Sequence, residues 1–356
     1  MNIAFRADAS FKIGSGHIIR SLVLAETLEA RGSNVVFISR LLNGHLIDLI
    51  IDRGFEVITL GDEPLIEDNT TNSDWLGVSQ QEDAEETIKN IKERTIDIIF
   101  VDHYSLDVNW ETLIKPFIGS VVVIDDLANR KHDCNFLIDQ NFRENASHSY
   151  EDLVPNYCRT LLGLEYTILS PEYRDLRDSI SAKNGVIKRV LVYFGGTDWQ
   201  NMTAFTLEVL SQEEFRFLEV DVVIGKNYPF SKNLEKIISN RPKTYLHETL
   251  PSLAELMTVA DIAIGAGGTT LWERMSMGLP SIVVSLADNQ IISCETLQKE
   301  NLIDYVGDYK NLSIDLLSTY LRNRISSPED NYELSMKISE YVDGCGALRI
   351  LQAMEL

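Results

Sequence analysis

The sequence predicts an α/β protein made of two doubly wound, Rossmann-like domains. Short apolar runs that read as strands alternate with helical patterns along the chain, which is typical of a parallel sheet covered by helices on both faces. The alternation starts again after Val186, and a chain of 356 residues is long for a single core. Two sheets in tandem explain these observations better than one sheet of ten strands.

Five strands are predicted in each half of the chain. Those of the first half are NIAFRA from Asn2, NVVFIS from Asn34, FEVITL from Phe55, DIIFVD from Asp97 and VVVID from Val121. Those of the second half are RVLVYFGG, VDVVIG, TYLHE, IAIGAGG and SIVVS. A polar stretch, SPEYRDLRDSISAKNG, separates the halves, so we divide the chain into domains of residues 1–170 and 171–356. The last helices, interrupted near Gly344 and Gly346, are free in this scheme to pack back on the first domain.

Charge and composition exclude several classes of protein. The 54 acidic and 32 basic side chains give a net charge of −22, which repels phosphate backbones and anionic lipids, so neither nucleic acid nor membrane is an expected partner. The four cysteines have no metal-binding spacing, and the N-terminus has no signal-peptide pattern. We therefore expect a cytoplasmic protein without a metal, in which backbone N–H groups and helix N-termini hold any phosphorylated ligand.

Residues 61–83 form a long polar stretch, rich in acidic side chains, asparagine and threonine. Loops of this length inside a compact domain are either functional or mobile. The pattern favours a surface loop, and a lid over a binding site is the alternative.

The segment IAIGAGGTTLWERMSMGLP has the pattern of an anion site between a strand and a helix. Gly267 and Gly268 allow a ligand to approach the backbone closely. Thr269 and Thr270 open the helix, where unpaired N–H groups and the helix dipole favour negative charge. A diphosphate would fit such a turn without a lysine.

The same segment has a purely structural interpretation. Thr270 and Glu273 have the spacing of a capping box, in which the threonine hydroxyl caps the helix. Ser252 and Glu255 repeat this spacing without a glycine run, so the box alone indicates nothing about a ligand.

Two further strand ends carry polar side chains. In YFGGTDWQN, Asp198 and Asn201 follow a strand and paired glycines, with an N-cap role as the favoured explanation of Asp198. In SLADNQ, Asn289 and Gln290 follow a strand at the edge where open α/β sheets bind ligands. Their amides suit sugar hydroxyl and acetamido groups, and an N-cap by Asp288 or Asn289 is the alternative.

His17 is the histidine that stands at a glycine-flanked junction between a strand and a helix, in the sequence GSGH. The helix dipole at this position favours a neutral imidazole, which is what a general base requires. The alternative is a residue that simply fills the first helical turn. Asp8, across the loop, is a candidate to orient the ring.

Asp125 and Asp126 are adjacent on an extended chain, point to opposite faces and do not suit one metal ion.

Five segments, taken in order, resemble a family of known enzymes. They are RADASFKIGSGHIIRSLVLAETLEARG, VIDDLANRKHDCNFLIDQN, LLGLEYTILSPEYRDLR, VYFGGTDWQN and GAGGTTLWERMSMGLPSIVVSLADNQ. Together they are similar to the UDP-2,4-diacetamido-2,4,6-trideoxy-β-L-altropyranose hydrolases of pseudaminic acid biosynthesis. The likeness runs from Met1 to about Gln290 and is weaker in the C-terminal helices. The GGTTLWE block is shared more widely, with the peptidoglycan UDP-GlcNAc transferases.

The resemblance implies a GT-B fold with the active site in the cleft between two facing domains. It implies that His17 is the base that activates water, and that Glu273 accepts hydrogen bonds from the ribose hydroxyls. The residues that it assigns to the diphosphate are Gly267, Gly268, Thr269 and Thr270. Those that it places at the sugar or in the cleft are Tyr104, Asp198, Asn201, Asn289 and Gln290.

The implied reaction is hydrolysis at the anomeric carbon, with inversion and without metal or cofactor, releasing UDP and the free sugar. Two alternatives stay open. One is a GT-B glycosyltransferase with a UDP-HexNAc donor, which would need an acceptor site. The other is a non-catalytic module that only binds a UDP-sugar.

Overall fold

The computed structural model describes residues 1–65, 75–143, 146–177, 180, 184–226 and 228–356. Within these residues the chain divides into two compact units. The first comprises Met1–Ile168 with Gly346–Leu356, and the second comprises Leu169–Cys345. Each unit contains one parallel β-sheet with helices between its strands, as the sequence predicts. Among the described residues, no helix is both long and apolar enough to cross a membrane.

The first unit has a sheet of seven strands within the described ranges. They are β1 (Asn2–Ala7), β2 (Asn34–Leu42), β3 (Glu56–Leu65), β4 (Ile96–Asp102), β5 (Ile118–Ile124), β6 (Phe136–Asp139) and β7 (Arg159–Leu162). Their order is β3-β2-β1-β4-β5-β6-β7, and every neighbouring pair is parallel. The helices that follow the first four of these strands are α1 (Gly16–Glu29), α2 (Ile47–Asp52), α3 (Gln80–Ile91) and α4 (Val108–Ile114).

Most side chains at the centre of this sheet are buried and apolar, because helices cover both of its faces. Phe5 of β1 stacks between Phe37 of β2 and Phe100 of β4, with ring centroids 5.2 and 4.7 Å away, and all three rings are buried. Stacked aromatic pairs add about 0.5–1.5 kcal/mol each to the effect of burial. The three rings fix the packing of the strands whose carboxyl ends carry the candidate site.

The second unit repeats this architecture. Its strands are β8 (Arg189–Tyr193), β9 (Glu219–Ile224), β10 (Thr244–Glu248), β11 (Ile262–Ala266), β12 (Ser281–Ser285) and β13 (Asp304–Asp308), in the order β10-β9-β8-β11-β12-β13. Its helices are α5 (Pro171–Arg177), α6 (Met202–Leu210), α7 (Ser231–Ser239), α8 (Ala254–Val259), α9 (Thr270–Ser276), α10 (Asp288–Lys299), α11 (Ile314–Ser326) and α12 (Pro328–Tyr341).

The final helix, α13 (Gly346–Ala353), belongs to the first unit although it follows the second in the chain. Ala347, Ile350 and Leu351 are buried in the core of the first unit, together with residues of β1 and α1. Gly346 lies against the backbone of Thr167, where a Cβ would collide with main-chain atoms. The glycine therefore allows the chain to enter α13 at this close contact.

The ten predicted strands are present, and three more occur among the described residues. The additional strands are β6, β7 and β13, which are four or five residues long. The ends of the predicted loop 61–83 are wrong. Strand β3 continues to Leu65 and helix α3 begins at Gln80, while residues 66–74 lie outside the described part of the chain.

Each sheet has one place where the strand order reverses, between β1 and β4 in the first unit and between β8 and β11 in the second. Loops that leave neighbouring strands at such a point run in opposite directions, which opens a crevice at the carboxyl ends. His17 follows β1, and the glycine-rich turn after Ala266 follows β11. Both predicted chemical motifs thus stand at reversal points of their own sheets.

Candidate functional site

In the first unit the site is built around His17, in the first turn of α1. Its Nδ1 lies 2.5 Å from Oδ1 of Asp102, the last residue of β4, and both side chains are buried. Strands β1 and β4 are neighbours, with Ala7 opposite Asp102. The loop after Ala7 therefore returns the chain to the carboxyl end of β4, where Asp102 orients the imidazole.

The predicted partner of His17, Asp8, is wrong. Oδ1 of Asp8 accepts hydrogen bonds from Nη1 of Arg6 at 2.6 Å and from the backbone N–H of Arg40 at 2.7 Å. Asp8 therefore binds Arg6 of β1 and the backbone of Arg40 of β2. The carboxylate that the imidazole contacts comes instead from the neighbouring strand β4.

Asp102 is held as a carboxylate by Arg20. Nε of Arg20 donates to Oδ2 and Nη2 donates to Oδ1, both at 2.6 Å. Burial by itself raises the pKa of Asp102, but the charge of Arg20 and the hydrogen bonds from Arg20 and His17 outweigh it and hold this pKa well below its usual range. An ionised carboxylate only accepts hydrogen bonds, so Nδ1 of His17 carries the hydrogen. The lone pair of the ring is then on Nε2, the nitrogen available to a base.

Tyr104 lies beside the imidazole. Its ring meets the His17 ring edge-on, with centroids 4.5 Å apart and planes at 77°. Its hydroxyl donates to Oδ2 of Asp126 at 2.7 Å, and Nη1 of Arg20 donates to the same oxygen at 2.7 Å. Because the phenol hydrogen is committed to Asp126, Tyr104 offers a ligand its ring and an oxygen lone pair rather than a donor. Trp75 flanks it at 5.7 Å between centroids.

Sequence reasoning missed three members of this cluster: Arg20, Asp102 and Asp126. A signal exists for each. Arg20 stands three residues after His17, so both lie on one face of α1. Asp102 is the polar end of an apolar strand, and Asp126 follows β5 by two residues. From the sequence, Asp126 is considered only as a metal ligand beside Asp125, and not as a residue that helps to orient a base.

In the second unit the glycine-rich turn joins β11 to α9. A Cβ at Gly267 would collide with Sγ of Cys294, so this position requires glycine. The helix is capped by Thr269 without a hydrogen bond from its side chain, so the predicted capping box of Thr270 and Glu273 does not form. Gly268 and both threonines are half-buried at the start of the helix. The structural alternative, in which Thr270 and Glu273 form a capping box, is therefore wrong.

Glu273 lies one turn into α9. Burial raises its pKa to about 7, although a hydrogen bond from Tyr173 of α5 acts in the opposite direction. The carboxyl therefore exchanges its proton near neutral pH instead of being a fixed charge. A ligand whose hydroxyls donate to it would favour the ionised form.

The other predicted residues of this unit have different surroundings. Gln290 lies against the turn, its Nε2 3.6 Å from the position of a Cβ on Gly268, and its Oε1 accepts from the N–H of Leu286 at 2.9 Å. Asn289 is exposed in the first turn of α10. That helix is capped by Ala287, so the alternative in which Asp288 or Asn289 caps it is wrong.

Asp198 and Asn201 follow β8, the strand beside β11. Asp198 is buried, and its carboxylate accepts from the N–H groups of Met202 and Thr203 at 2.9 and 2.8 Å. The N-cap of α6 is Asn201, so the predicted N-cap position of Asp198 is wrong, although its carboxylate binds the first two N–H groups of the helix. Asn201 has a positive φ of 56°, and its Oδ1 accepts from the hydroxyl of Tyr228 at 2.7 Å. Both side chains are engaged in holding this loop.

Within the described ranges, no group of three or more histidine, cysteine, aspartate or glutamate side chains has the arrangement of a metal site. Chemistry without a metal stays a prediction. In the first unit the structure brings together a histidine that can accept a proton and the side chains that orient its ring. In the second unit it brings together a close-packed turn and a carboxyl group that titrates near neutral pH.

Comparisons with known proteins match both parts of the chain. Residues 190–344 match the glycosyltransferase family 28 C-terminal domain. An uncharacterized protein of Methanocaldococcus jannaschii is 27% identical over 363 residues, a match that covers 99% of this chain and 66% of that protein. A protein of Campylobacter jejuni named UDP-2,4-diacetamido-2,4,6-trideoxy-beta-L-altropyranose hydrolase is 26% identical over 311 residues, covering 87% of this chain and 100% of that protein.

The fold is also found in a solved structure. MurG of Acinetobacter baumannii superposes with a TM-score of 0.69, covers 99% of both chains and is 12% identical in sequence. At this identity the likeness concerns the fold alone. It confirms the GT-B fold that the resemblance in sequence predicts.

Proposed function

We propose that this protein hydrolyses UDP-2,4-diacetamido-2,4,6-trideoxy-β-L-altropyranose to UDP and the free sugar, as a step of pseudaminic acid biosynthesis. The names of the relatives support a UDP-sugar hydrolase or another GT-B protein of sugar biosynthesis. The observation that carries a catalytic role is the buried pair of His17 and Asp102 at the reversal point of the first sheet, and the choice of a hydrolase over a transferase rests on the name of the Campylobacter jejuni relative. A protein that only binds a UDP-sugar has no need of an oriented base.

In the proposed reaction, Nε2 of His17 accepts a proton from water while the water oxygen attacks the anomeric carbon. The bond between that carbon and the oxygen of the diphosphate breaks, and its electron pair leaves with UDP. Attack opposite to the leaving group inverts the anomeric configuration. Asp102 stabilises the imidazolium as it forms, because an ionised carboxylate at hydrogen-bond distance favours positive charge on the ring.

The UDP moiety is assigned to the second unit. Gly267, Gly268, Thr269 and Thr270 would offer backbone N–H groups to the diphosphate, where negative charge grows as the bond breaks. Glu273 would accept from the ribose hydroxyls, and Asn289 and Gln290 would contact the sugar. Because Asp198 and Asn201 are engaged within their loop, we assign them the positioning of that loop rather than direct contact.

The test is incubation of the purified protein with a panel of UDP-sugars in the presence of a chelator, following UDP and free sugar. The proposal expects release of both, without added metal, from the 2,4-diacetamido-2,4,6-trideoxy donor and not from UDP-GlcNAc. Release that requires an added acceptor would establish a transferase instead, the alternative that the match to glycosyltransferase family 28 favours. Binding of UDP without release would leave a non-catalytic module.

A further inference from the structure

Arg20 connects two carboxylates beside the proposed base. The side chain is buried, and three of its nitrogens are used: Nε and Nη2 bind both oxygens of Asp102, and Nη1 binds Oδ2 of Asp126 at 2.7 Å. A planar guanidinium that makes this fork has little freedom to rotate. Arg20 therefore fixes the plane of the Asp102 carboxylate, from which His17 takes its orientation.

Arg20 also contacts the imidazole indirectly, through Asp126 and Tyr104. Asp126 accepts from the hydroxyl of Tyr104, and the ring of Tyr104 meets His17 edge-on. One guanidinium thus holds both neighbours of the imidazole, Asp102 through hydrogen bonds and Tyr104 through Asp126. Movement of Arg20 would release His17 from both sides.

The charges of the cluster support the same role. Arg20, Asp102 and Asp126 carry a formal net charge of −1 beside a neutral imidazole, and the sum becomes zero when His17 accepts a proton. A lysine would keep this balance but not the fork, because an ammonium is a point charge on a flexible stem. Charge and geometry are therefore separable by substitution.

We propose that Arg20 is a positioning residue, which sets the orientation and the tautomer of His17 through Asp102 and Tyr104. The inference rests on the proposed function for its catalytic consequence. Its structural part is that the Nδ1–H tautomer of His17 depends on the hydrogen bonds of the Arg20 guanidinium. This part does not depend on which substrate the protein binds.

Two variants separate geometry from charge. Arg20→Lys keeps the cation and loses the fork. The double variant Arg20→Met with Asp126→Asn also loses the fork but keeps the formal net charge of −1, now carried by Asp102 alone. Arg53→Lys is the matched control, because Arg53 is exposed and pairs with Glu26 on the same helix α1.

The first readout is the NMR spectrum of histidine-labelled protein without substrate. We expect a far-downfield Hδ1 proton and an Nδ1–H tautomer for His17 in the wild type and in Arg53→Lys, and loss of both in the two Arg20 variants. The second readout is steady-state kinetics, in which we expect kcat to fall about 10–100-fold with KM changed less than about threefold, as for a misplaced catalytic group.

Either Arg20 variant that folds with the wild-type Hδ1 signal and kcat would overturn the proposal, as would lower thermal stability without a change of tautomer. If Arg20→Lys does not fold, the charge-matched double variant decides. If the wild type hydrolyses no UDP-sugar, the proposed function fails, and the NMR result still decides the role of Arg20.

Discussion

Asp102 contacts His17 across 85 positions of sequence, with 2.5 Å between Oδ1 and Nδ1. The contact exists because β4 lies directly beside β1 in the sheet, so that the end of one strand faces the helix that follows the other. It gives His17 a defined tautomer with a lone pair on Nε2. The chemical role proposed for this ring depends on that single contact.

Replacement of His17 by asparagine is expected to lower kcat by about 10²–10⁴-fold, the usual contribution of a general base. The affinity for UDP should stay within about twofold, because the residues assigned to UDP belong to the second unit. Turnover assays and calorimetric titration with UDP measure the two effects. His148→Asn is the control, since His148 is exposed. A variant at His17 with a near-normal rate would contradict the assignment.

Replacement of Asp102 by asparagine is expected to lower kcat by about 10²–10⁴-fold with the fold retained. An amide can donate to Nδ1, which places the ring hydrogen on Nε2 and removes the lone pair that a base needs. The kinetic constants and the tautomer of His17 in NMR spectra check this. Asp152→Asn changes an exposed carboxylate in the same way and should be neutral. Equal rates for both variants would argue against an orienting role.

Glu273 predicts a pH dependence of UDP binding. Its pKa of about 7 means that the carboxyl is ionised above this pH and protonated below it. If ribose hydroxyls donate to the ionised form, the Kd for UDP should rise by up to about tenfold per pH unit between pH 7 and pH 5. Because UDP itself titrates near pH 6, the measurement is the ratio of Kd values for the wild type and Glu273→Gln. A constant ratio would exclude this contact.

Asp83 predicts a loss of stability in acid. Arg6 and Arg40 each donate to its Oδ2 at 2.7 Å, and Trp110 donates to Oδ1 at 2.9 Å. Burial raises the pKa of Asp83, but the two arginines lower it further, to about 2 from 3.8. The folded pKa is depressed, so this stabilisation is present above about pH 4 and is lost as the pH falls through about 2. Its size is about 2 kcal/mol.

Replacement of Asp83 by alanine should cost more, about 3–5 kcal/mol, because it leaves two buried guanidinium groups without this partner. Thermal unfolding at pH 7 measures the loss. Asp52→Ala removes an exposed carboxylate and should change the melting temperature by less than about 2 °C. Similar effects of both substitutions would show that the buried cluster contributes little.

The sequence predicts the fold of this protein more completely than it predicts the candidate site. The central strands are apolar along most of their length, so their number and alternation follow from the sequence pattern, and His17 is marked by its glycines. Asp102 is not marked in this way, because its role depends on which strand lies beside β1. An alternation of strands and helices does not determine strand order.

Asp83 is a second residue whose surroundings the sequence does not predict. It ends an acidic stretch that reads as a solvated loop, yet the residue is buried against arginines of β1 and β2. Composition averages over a segment, whereas burial depends on the partner that one residue meets. The arginines that stabilise Asp83 belong to β1 and β2, so they cannot be identified from the segment that contains Asp83.

Helix α13 has a consequence for biosynthesis of the chain. Its buried residues Ile350 and Leu351 complete the core that contains β1 and α1, yet they are translated after the whole second unit. During synthesis, residues 1–168 leave the ribosome without this helix and wait for 177 more residues of the second unit before it arrives. At about 5–20 residues per second this takes roughly 10–35 s. The first unit therefore completes its core only after the second unit has been translated, and until then an apolar surface of the nascent chain is accessible to chaperones.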